Sequence, residues 1–504
     1  MTELPPAEVI VVGAGNAALT AAIAARDAGA SVLVLEKAPR ARRGGNTRFS
    51  GGVFRFSYDS VDEVLGLLPH PPEAQVEGDP YPTTRYYADI MRTSGGLADP
   101  LLIGVLVERS TDTIRWMRDV GVEWELSEIF GLRQGRRWSF PPGVLLQSRG
   151  AGVGLSAALF AAAEARAIPV VYEAKALRLR LDRHGGVRGL VVRTGGRTVE
   201  MDAAAVILGS GGFEANPEMR ARYLGPGWDT VAVRGTACNT GETLTAALEA
   251  GAQPYGQWSG CHATPIDATA PAVGDLRLTD KTNRLSYPYS VMVNGEGRRF
   301  IDEGEDFAQY TYAKTGRAIL AQPQNRAWQI FDQQTVPLLE ERYQTGRPLE
   351  AETIEALADV MALPRARLVE TIAAYNAAPR TGRFDPAVRD GFGTRDLAPP
   401  KTNWAAPLER PPYLAYPVTC GITFTYGGVR VDEQARVLDT ENSIIPGLLA
   451  TGEITGGFFY FNYPAGAGLM RGAVFGRIAG LEAARHAAVP AGGDRERVRG
   501  EGSS

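Results

Sequence analysis

The sequence predicts an α/β fold: a layer of parallel βαβ units that an inserted α+β cap interrupts and that resumes near the C-terminus. Three observations carry this reading. Val9-Ile10-Val11-Val12 is an apolar run that leads through glycines into an alanine-rich helical stretch, Asn16 to Ala28. Ser31 to Leu35 is apolar again, which closes a βαβ unit. Far along the chain an apolar strand and a helix, Ile445 to Gly452 and Gly468 to Arg485, return to the same texture.

Bulk properties narrow the function. A chain of 504 residues is too long for one ordinary compact core, so two domains or one large insertion is expected. Lys and Arg number 53 against 57 Asp and Glu, and the resulting charge of -4 offers no basic footprint for nucleic acid. No uninterrupted apolar run approaches a membrane span. Cys238, Cys261 and Cys420 lie too far apart for a CxxC pair, an iron-sulfur run or a haem attachment motif. The four histidines lack metal-ligand spacing, so no metal is expected and any redox cofactor is organic. The opening MTELPPAEVI has neither a basic region nor a twin arginine, which leads to the expectation of a cytoplasmic protein.

The elements follow in order. From about Tyr58 to Leu146 the pattern reads as a helical insertion, with Asp99 and Ser110 as helix starts. Gly150 to Gly154 introduces a helix up to Arg166, then a strand around Val170 to Leu181 and hairpins turning at Gly185-Gly186 and Gly195-Gly196. The strand Ala205 to Leu208 runs into Gly209-Ser-Gly-Gly212. Mixed strands, Pro-rich loops and a charged helical stretch near Ala351 to Ala378 mark the cap. The expected organisation is a first layer over 1–254, a cap over 255–412, a return over 413–487 and a disordered tail over 488–504.

The chemistry begins at Gly13-Ala-Gly15-Asn-Ala-Ala18. The first glycine permits the tight turn, the second lets backbone approach a pyrophosphate at the helix N-terminus, and the small third residue permits close helix-strand packing. Glu36 ends the next strand, where a carboxylate can take both hydroxyls of an adenosine ribose. A second glycine-rich segment, Gly44-Gly-Asn-Thr-Arg-Phe-Ser-Gly-Gly52, follows directly. With AVILGSGGFEANPEM (205–219), Asn239-Thr-Gly-Glu242 and the C-terminal PGLLATGE, the chain resembles the fumarate reductase/succinate dehydrogenase flavoprotein family over nearly its whole length.

That resemblance implies FAD held by a Rossmann-like domain. It places the cofactor against Gly13, Gly15, Asn16, Ala17, Ala18, Glu36, Lys37, Gly45, Asn46, Thr47, Ser50, Gly51, Gly52, Ala174, Ser210, Gly211, Glu453, Gly468 and Leu469. The helix starting near Gly468 aims its N-terminal dipole at the ring. Asn46 stands where covalent relatives carry a histidine, so the expected FAD is non-covalent.

The substrate residues of fumarate reductases are largely replaced. The family's histidine becomes Phe459 and its substrate arginine becomes Tyr463, while Phe307 falls near the place of the proton-donating arginine. His262-Ala-Thr264 matches the family's H-P-T element. The expected catalytic set is therefore Tyr463, His262, Arg284 and Tyr312, with Thr264, Tyr426 and Asn462 as substrate contacts. Tyr463 is assigned to a carbonyl or carboxylate oxygen; Tyr310, Tyr312 and Arg284 remain open for proton transfer.

Among relatives, VNGEGRRFIDEGEDF and FFYFNYPAGAG most resemble tricarballylate dehydrogenases and the flavin portion of some precorrin-3B synthases. Tyr463-Pro-Ala-Gly466 also resembles 3-ketosteroid dehydrogenases, where the tyrosine holds a ketone oxygen. The implied reaction is desaturation next to a carboxylate or carbonyl. A tricarboxylate would draw on Arg48, Arg284, Lys314 and Arg471. A cyclic ketone is the alternative, and a flavin electron-transfer subunit without its own substrate is the reading from another class. Electrons would leave to dioxygen, a quinone or a separate redox protein.

Overall fold

The computed structural model describes residues 4–489. Its first sheet has the strand order Arg436–Leu438, Ile444–Ala450, Ala205–Leu208, Val9–Val12, Val32–Leu35, Val170–Val171. The inner pairings are parallel, Val9 facing both Ala205 and Val32, and Val206 facing Leu448. Only the edge strand Arg436–Leu438 runs antiparallel. Covered on both faces, these strands read as unbroken apolar runs, and Val9 to Val12 are at most 5% exposed.

The sheet is sandwiched, and one face is closed by two helices from opposite ends of the sequence, Asn16–Asp27 and Ala467–Ala488. Small residues allow them to meet at backbone distance. A Cβ on Gly476 would stand 2.6 Å from the Ala17 carbonyl oxygen, and one on Gly480 would strike that of Ala21. Asn16 also donates its side-chain amide to the Leu469 carbonyl at 2.8 Å. Two helix N-termini are thereby held side by side at the C-terminal edge of the sheet, where ligands of such folds bind.

A second sheet is organised around the long strand Tyr413–Thr425, which pairs with Ala232–Val233, Cys261–Asp267, Arg326–Phe331 and Leu349–Ala351. This strand belongs to the cap sheet, and the chain rejoins the first sheet only at Arg436–Leu438. A three-stranded antiparallel sheet, 175–202, turns at the two glycine pairs read from the sequence.

Several elements depart from expectation. Asp99 does cap a helix, accepting from the amides of Leu101 and Leu102. Ser110 starts none: it lies inside Pro100–Asp119, its hydroxyl bonded to the Val107 carbonyl one turn back. The insertion is helical only in part: Gln75–Glu77 is a strand, and beyond Asp119 so are Trp124–Leu126, Leu132–Gln134, Arg137–Ser139 and Leu146–Ser148. The strand expected over 170–181 is two strands, broken where Glu173 takes φ of 54° and turns Ala174 toward the first layer. Of the expected tail, Ala488 ends the last helix, and 490–504 lie outside the described residues. No helix among the described residues is long and apolar enough to cross a membrane.

The helix contact yields a test. Gly476→Val forces side-chain volume against the Ala17 carbonyl, and overpacking of this kind costs about 1–3 kcal/mol. The variant should unfold at a lower temperature and retain less cofactor. Parent-like values for both, measured by thermal melts and absorbance at 450 nm, contradict the close-contact account.

Candidate functional site

A deep cavity runs between the first layer and the cap, and its lining follows the order of the sequence motifs. At one end Gly13 takes φ of +102°, and a Cβ there would lie 2.5 Å from the Gly209 carbonyl oxygen, so the turn closes only without a side chain. Gly15 opens the first helix without a side-chain cap and without an acidic residue in its first turn. An uncapped N-terminus of this kind suits a pyrophosphate. Ala17 and Asn16 line the cavity; Ala18 does not, because it packs behind the turn against Gly209.

Glu36 also faces the cavity, with one carboxylate oxygen accepting the Ala38 amide at 2.7 Å. Burial pushes its pKa up, opposed by the amides of Ala38 and Ala14. The Ala174 amide donates to the Glu36 carbonyl at 2.9 Å, which sets the Ala174 backbone on the cavity wall beside the carboxylate. Lys37 and Lys175 both reach Glu242, at 3.0 and 2.6 Å, and complete this end.

In the middle, Gly45, Asn46, Thr47, Ser50, Gly51 and Gly52 form one wall and Ser210, Gly211 and Glu453 another. Thr47 Oγ accepts the Asn16 amide at 2.8 Å, tying the second glycine segment to the first. The Asn46 amide donates to Glu214 at 2.7 Å and to the Thr423 carbonyl at 2.8 Å, and its oxygen accepts from the Thr236 amide. Burial and the neighbouring Glu453 carboxylate push Glu214 well above the carboxylate range. The last helix begins at Gly466, again with neither a side-chain cap nor an acidic first turn, and presents Gly468 and Leu469 to the same space.

The far end is built from rings. His262 stacks on Phe424 at 5.0 Å between centroids and meets Tyr312 and Tyr463 edge-on at 4.7 and 5.1 Å. Phe459 packs on Tyr463 at 5.1 Å. The Tyr463 hydroxyl accepts the Gly466 amide at 2.9 Å, which fixes it beside the start of the last helix. Burial and the Arg234 charge hold the His262 imidazole well below its usual range, so it is neutral. Burial and the Tyr463 phenol push Tyr312 well above the phenol range.

Several expected residues lie elsewhere. Arg284 is turned away, buried in an ion pair with Asp267 at 2.6 Å and donating to the carbonyls of Asn283 and Arg342. Thr264 is fully buried in the strand Cys261–Asp267, behind the lining. Tyr426 backs the cage against Phe424 and Phe459, and Asn462 spends its amide on the Tyr310 carbonyl. Tyr310 itself points to Asp89 at 2.6 Å. Arg48 binds carbonyls of Ala41 and Arg43, Lys314 pairs with Glu305, and Phe307 packs on Trp404. Of the four expected cations only Arg471 lines the cavity, beside Glu453.

Two arginines that the sequence reading missed take their place, Arg234 and Arg342. Arg342 is compensated by ion pairs to Asp280 and Glu340. Arg234 binds the Thr423 hydroxyl at 3.0 Å and the Phe49 carbonyl at 2.9 Å, and it forms no ion pair among the described residues. A signal for it existed: a lone arginine in VAVRGTACNTGE, directly before the Asn239-Thr-Gly-Glu242 motif. No cluster of His, Cys, Asp and Glu among the described residues could hold a metal ion.

Comparison with known proteins agrees with this layout. Residues 8–469 match the model of the FAD binding domain family. A probable fumarate reductase of Shewanella frigidimarina is 30% identical over 486 residues, 95% of this chain and 75% of that protein. The 4-oxocyclohexanecarboxylate 2-dehydrogenase of Sinomonas cyclohexanicum is 29% identical, covering 95% and 93%. Among solved structures, the open form of a flavocytochrome c3 fumarate reductase superposes with a TM-score of 0.71 at 27% identity, covering 96% and 79%. A 3-ketosteroid-Δ4-(5α)-dehydrogenase of Rhodococcus jostii does so with 0.70 at 25% identity, covering 96% and 98%.

Glu36→Ala should weaken FAD binding more than tenfold, since charge-assisted hydrogen bonds contribute about 1.5–3 kcal/mol each. Full occupancy after dialysis contradicts the ribose assignment. Because Asn46 offers an amide already bonded on both sides, acid precipitation should release all FAD, and a washed pellet that stays yellow contradicts this.

Proposed function

Because this chain belongs to the FAD binding domain family, we propose that it desaturates a small carboxylate-bearing ketone, forming a C=C bond next to the carbonyl. At the coarser level it is an FAD-dependent oxidoreductase acting on carbon-carbon bonds, as its relatives are. The observation that carries the finer reading is the meeting, at one end of the cavity, of the Tyr463 phenol and Arg234, a cation that forms no ion pair among the described residues, the acid that acts on it, Asp280, being bonded to Arg342.

The residues divide the work. Arg234 receives the carboxylate, bidentate geometry being what a guanidinium offers. Tyr463 donates to the carbonyl oxygen, where negative charge grows as the α-hydrogen leaves. Tyr312, tilted beside it with ring centroids 5.9 Å apart, relays that proton, its oxygen accepting it as its own hydroxyl proton moves on. Neutral His262, stacked on Phe424, gives the substrate an apolar wall at this end of the cavity. When bound, FAD supplies the acceptor for the second hydrogen, which leaves with its bonding pair. The residues fit that group, with two uncapped helix N-termini and the carboxylate of Glu36 along one cavity. Dioxygen, a quinone or a separate redox protein then takes the electrons.

A tricarboxylate such as tricarballylate is the weaker reading. It requires three cations free of acids, whereas Arg342 is already paired with Asp280 and Glu340, and Arg471 faces Glu453. The name of the Sinomonas relative, a dehydrogenase of 4-oxocyclohexanecarboxylate, supports the ketone acid.

Two variants test the division of labour by anaerobic stopped-flow bleaching of the flavin. Tyr463→Phe should keep FAD and slow bleaching by 4-oxocyclohexanecarboxylate roughly a hundred- to a thousandfold, since an oxyanion contact contributes about 2.7–4 kcal/mol. A rate within threefold of the parent contradicts the role. Arg234→Gln should raise the half-saturating concentration of the ketone acid at least tenfold and leave cyclohexanone unaffected. Equal losses for both ketones show that Arg234 supports the fold and does not read the carboxylate.

A further inference from the structure

Behind Tyr463 lies a run of buried polar side chains that the chemistry above does not use. Arg55 is fully buried, and its Nε donates at 2.8 Å to the carbonyl of Ala465, in the loop that carries Tyr463. Its Nη1 donates to the hydroxyls of Tyr81 and Tyr310 at 2.7 and 3.2 Å. Both hydroxyls donate in turn to one oxygen of Asp89, at 2.8 and 2.6 Å. The other oxygen of Asp89 accepts from Arg92 at 3.3 Å, and Arg92 is half exposed. Hydrogen bonds thus connect Arg55 to the surface without a gap.

At the inner end two atoms have no hydrogen-bond partner among the described residues: Nη2 of Arg55 and the hydroxyl of Tyr86, which sits one turn before Asp89 on the helix Thr83–Thr93. The Tyr86 ring packs on that of Tyr81 with centroids 5.6 Å apart, and Arg55 and Tyr463 both act on its hydroxyl. Unpaired buried donors are costly, and a pair of them is the setting in which an internal water is held. Stability alone would favour apolar residues over a buried ion pair of this kind.

Desaturation also needs an exit for one proton per turnover. Phe307, at the expected place of the family's proton-donating arginine, is packed on Trp404, and among the described residues no carboxylate lines the ring end of the cavity. Resting on the ketone-acid reading, we propose that Tyr86, Arg55, Tyr81, Tyr310 and Asp89 form the proton outlet of the site. The α-C–H bond breaks and its electron pair stays on carbon as half of the new C=C bond. The Tyr312 oxygen accepts the proton as its own hydroxyl proton moves on to Tyr86 and from there to a water held by Arg55; the water hands a proton to the hydroxyl oxygen of Tyr81 or Tyr310, whose own proton goes to Asp89, so every hydroxyl gives up one proton as it takes another and Arg55 keeps all of its own. Bulk water beside Arg92 removes it.

The test uses the FAD-loaded chain in two arms. In heavy water, under anaerobic conditions, entry of α-deuterium into 4-oxocyclohexanecarboxylate is followed by mass spectrometry, and a high-resolution crystal structure of the same enzyme locates internal waters. Asp89→Asn should keep FAD content and unfolding temperature, slow deuterium entry and steady-state turnover at least tenfold, and be rescued by Asp89→Glu; one ordered water should join Tyr86 to Arg55. Exchange at the parent rate overturns the outlet, as does a combined loss of FAD and exchange that Glu does not rescue, which is the mark of a structural staple. Absence of that water overturns it independently of any substrate. If the parent neither exchanges nor bleaches with this ketone, the ketone-acid reading fails, and the crystallographic arm still decides the outlet.

Discussion

The close approach of the first and last helices is the constraint on which the rest of the molecule depends. With Gly476 and Gly480 set against the carbonyls of Ala17 and Ala21, no side-chain layer separates the two helices. Both N-termini therefore open onto one cavity, and the partial positive charge of each falls along the line of a single extended ligand. A larger residue at either glycine would move the last helix outward and carry with it Gly468, Leu469 and the Tyr463 loop, which is bonded to that helix start through the Gly466 amide. Cofactor seat and substrate end are in this sense one structure.

The ring end works by being dry and by carrying little free charge. Four aromatic or imidazole rings within about 6 Å of one another lower the local dielectric, where each remaining polar group acts more strongly than it would in water. His262 responds by staying neutral. Arg342 is paired with its acids, and Arg234, on which Asp280 also acts, meets two phenols at the ring end. Such an environment suits a monoanion whose second polar group is a neutral oxygen that becomes charged only during reaction.

How much of this was legible in the sequence depends on whether a role is local. The turn at Gly13, the helix start at Gly15, the carboxylate of Glu36 and the second glycine segment are fixed by short-range geometry, and all reach the cavity wall. Ala18, read both as a packing residue and as a cofactor contact, is only the former. Tyr463 and His262 also arrive together, because the resemblance carried their positions, and of the three residues left open for proton transfer only Tyr312 joins them. Arg284 did not: an arginine near the right motif is as easily claimed by Asp267 across a hairpin, and no local pattern shows which. Arg234 and Arg342 come to the site from separate segments through the pairing of the cap strands, a long-range outcome. Ser110 shows the same limit at smaller scale, since a serine caps a helix or bonds back inside one according to the packing around it.

The central claim is that this flavoprotein carries its own substrate pocket and removes two hydrogens from a ketone acid. Anaerobic mixing with 4-oxocyclohexanecarboxylate, with tricarballylate in parallel and mass analysis of the product, tests it most directly. The account predicts full bleaching of one flavin per chain by the ketone acid, a product two hydrogens lighter with the new double bond next to the carbonyl, and little response to tricarballylate. Bleaching by tricarballylate alone, or by neither compound while an external electron donor reduces the flavin readily, would contradict it.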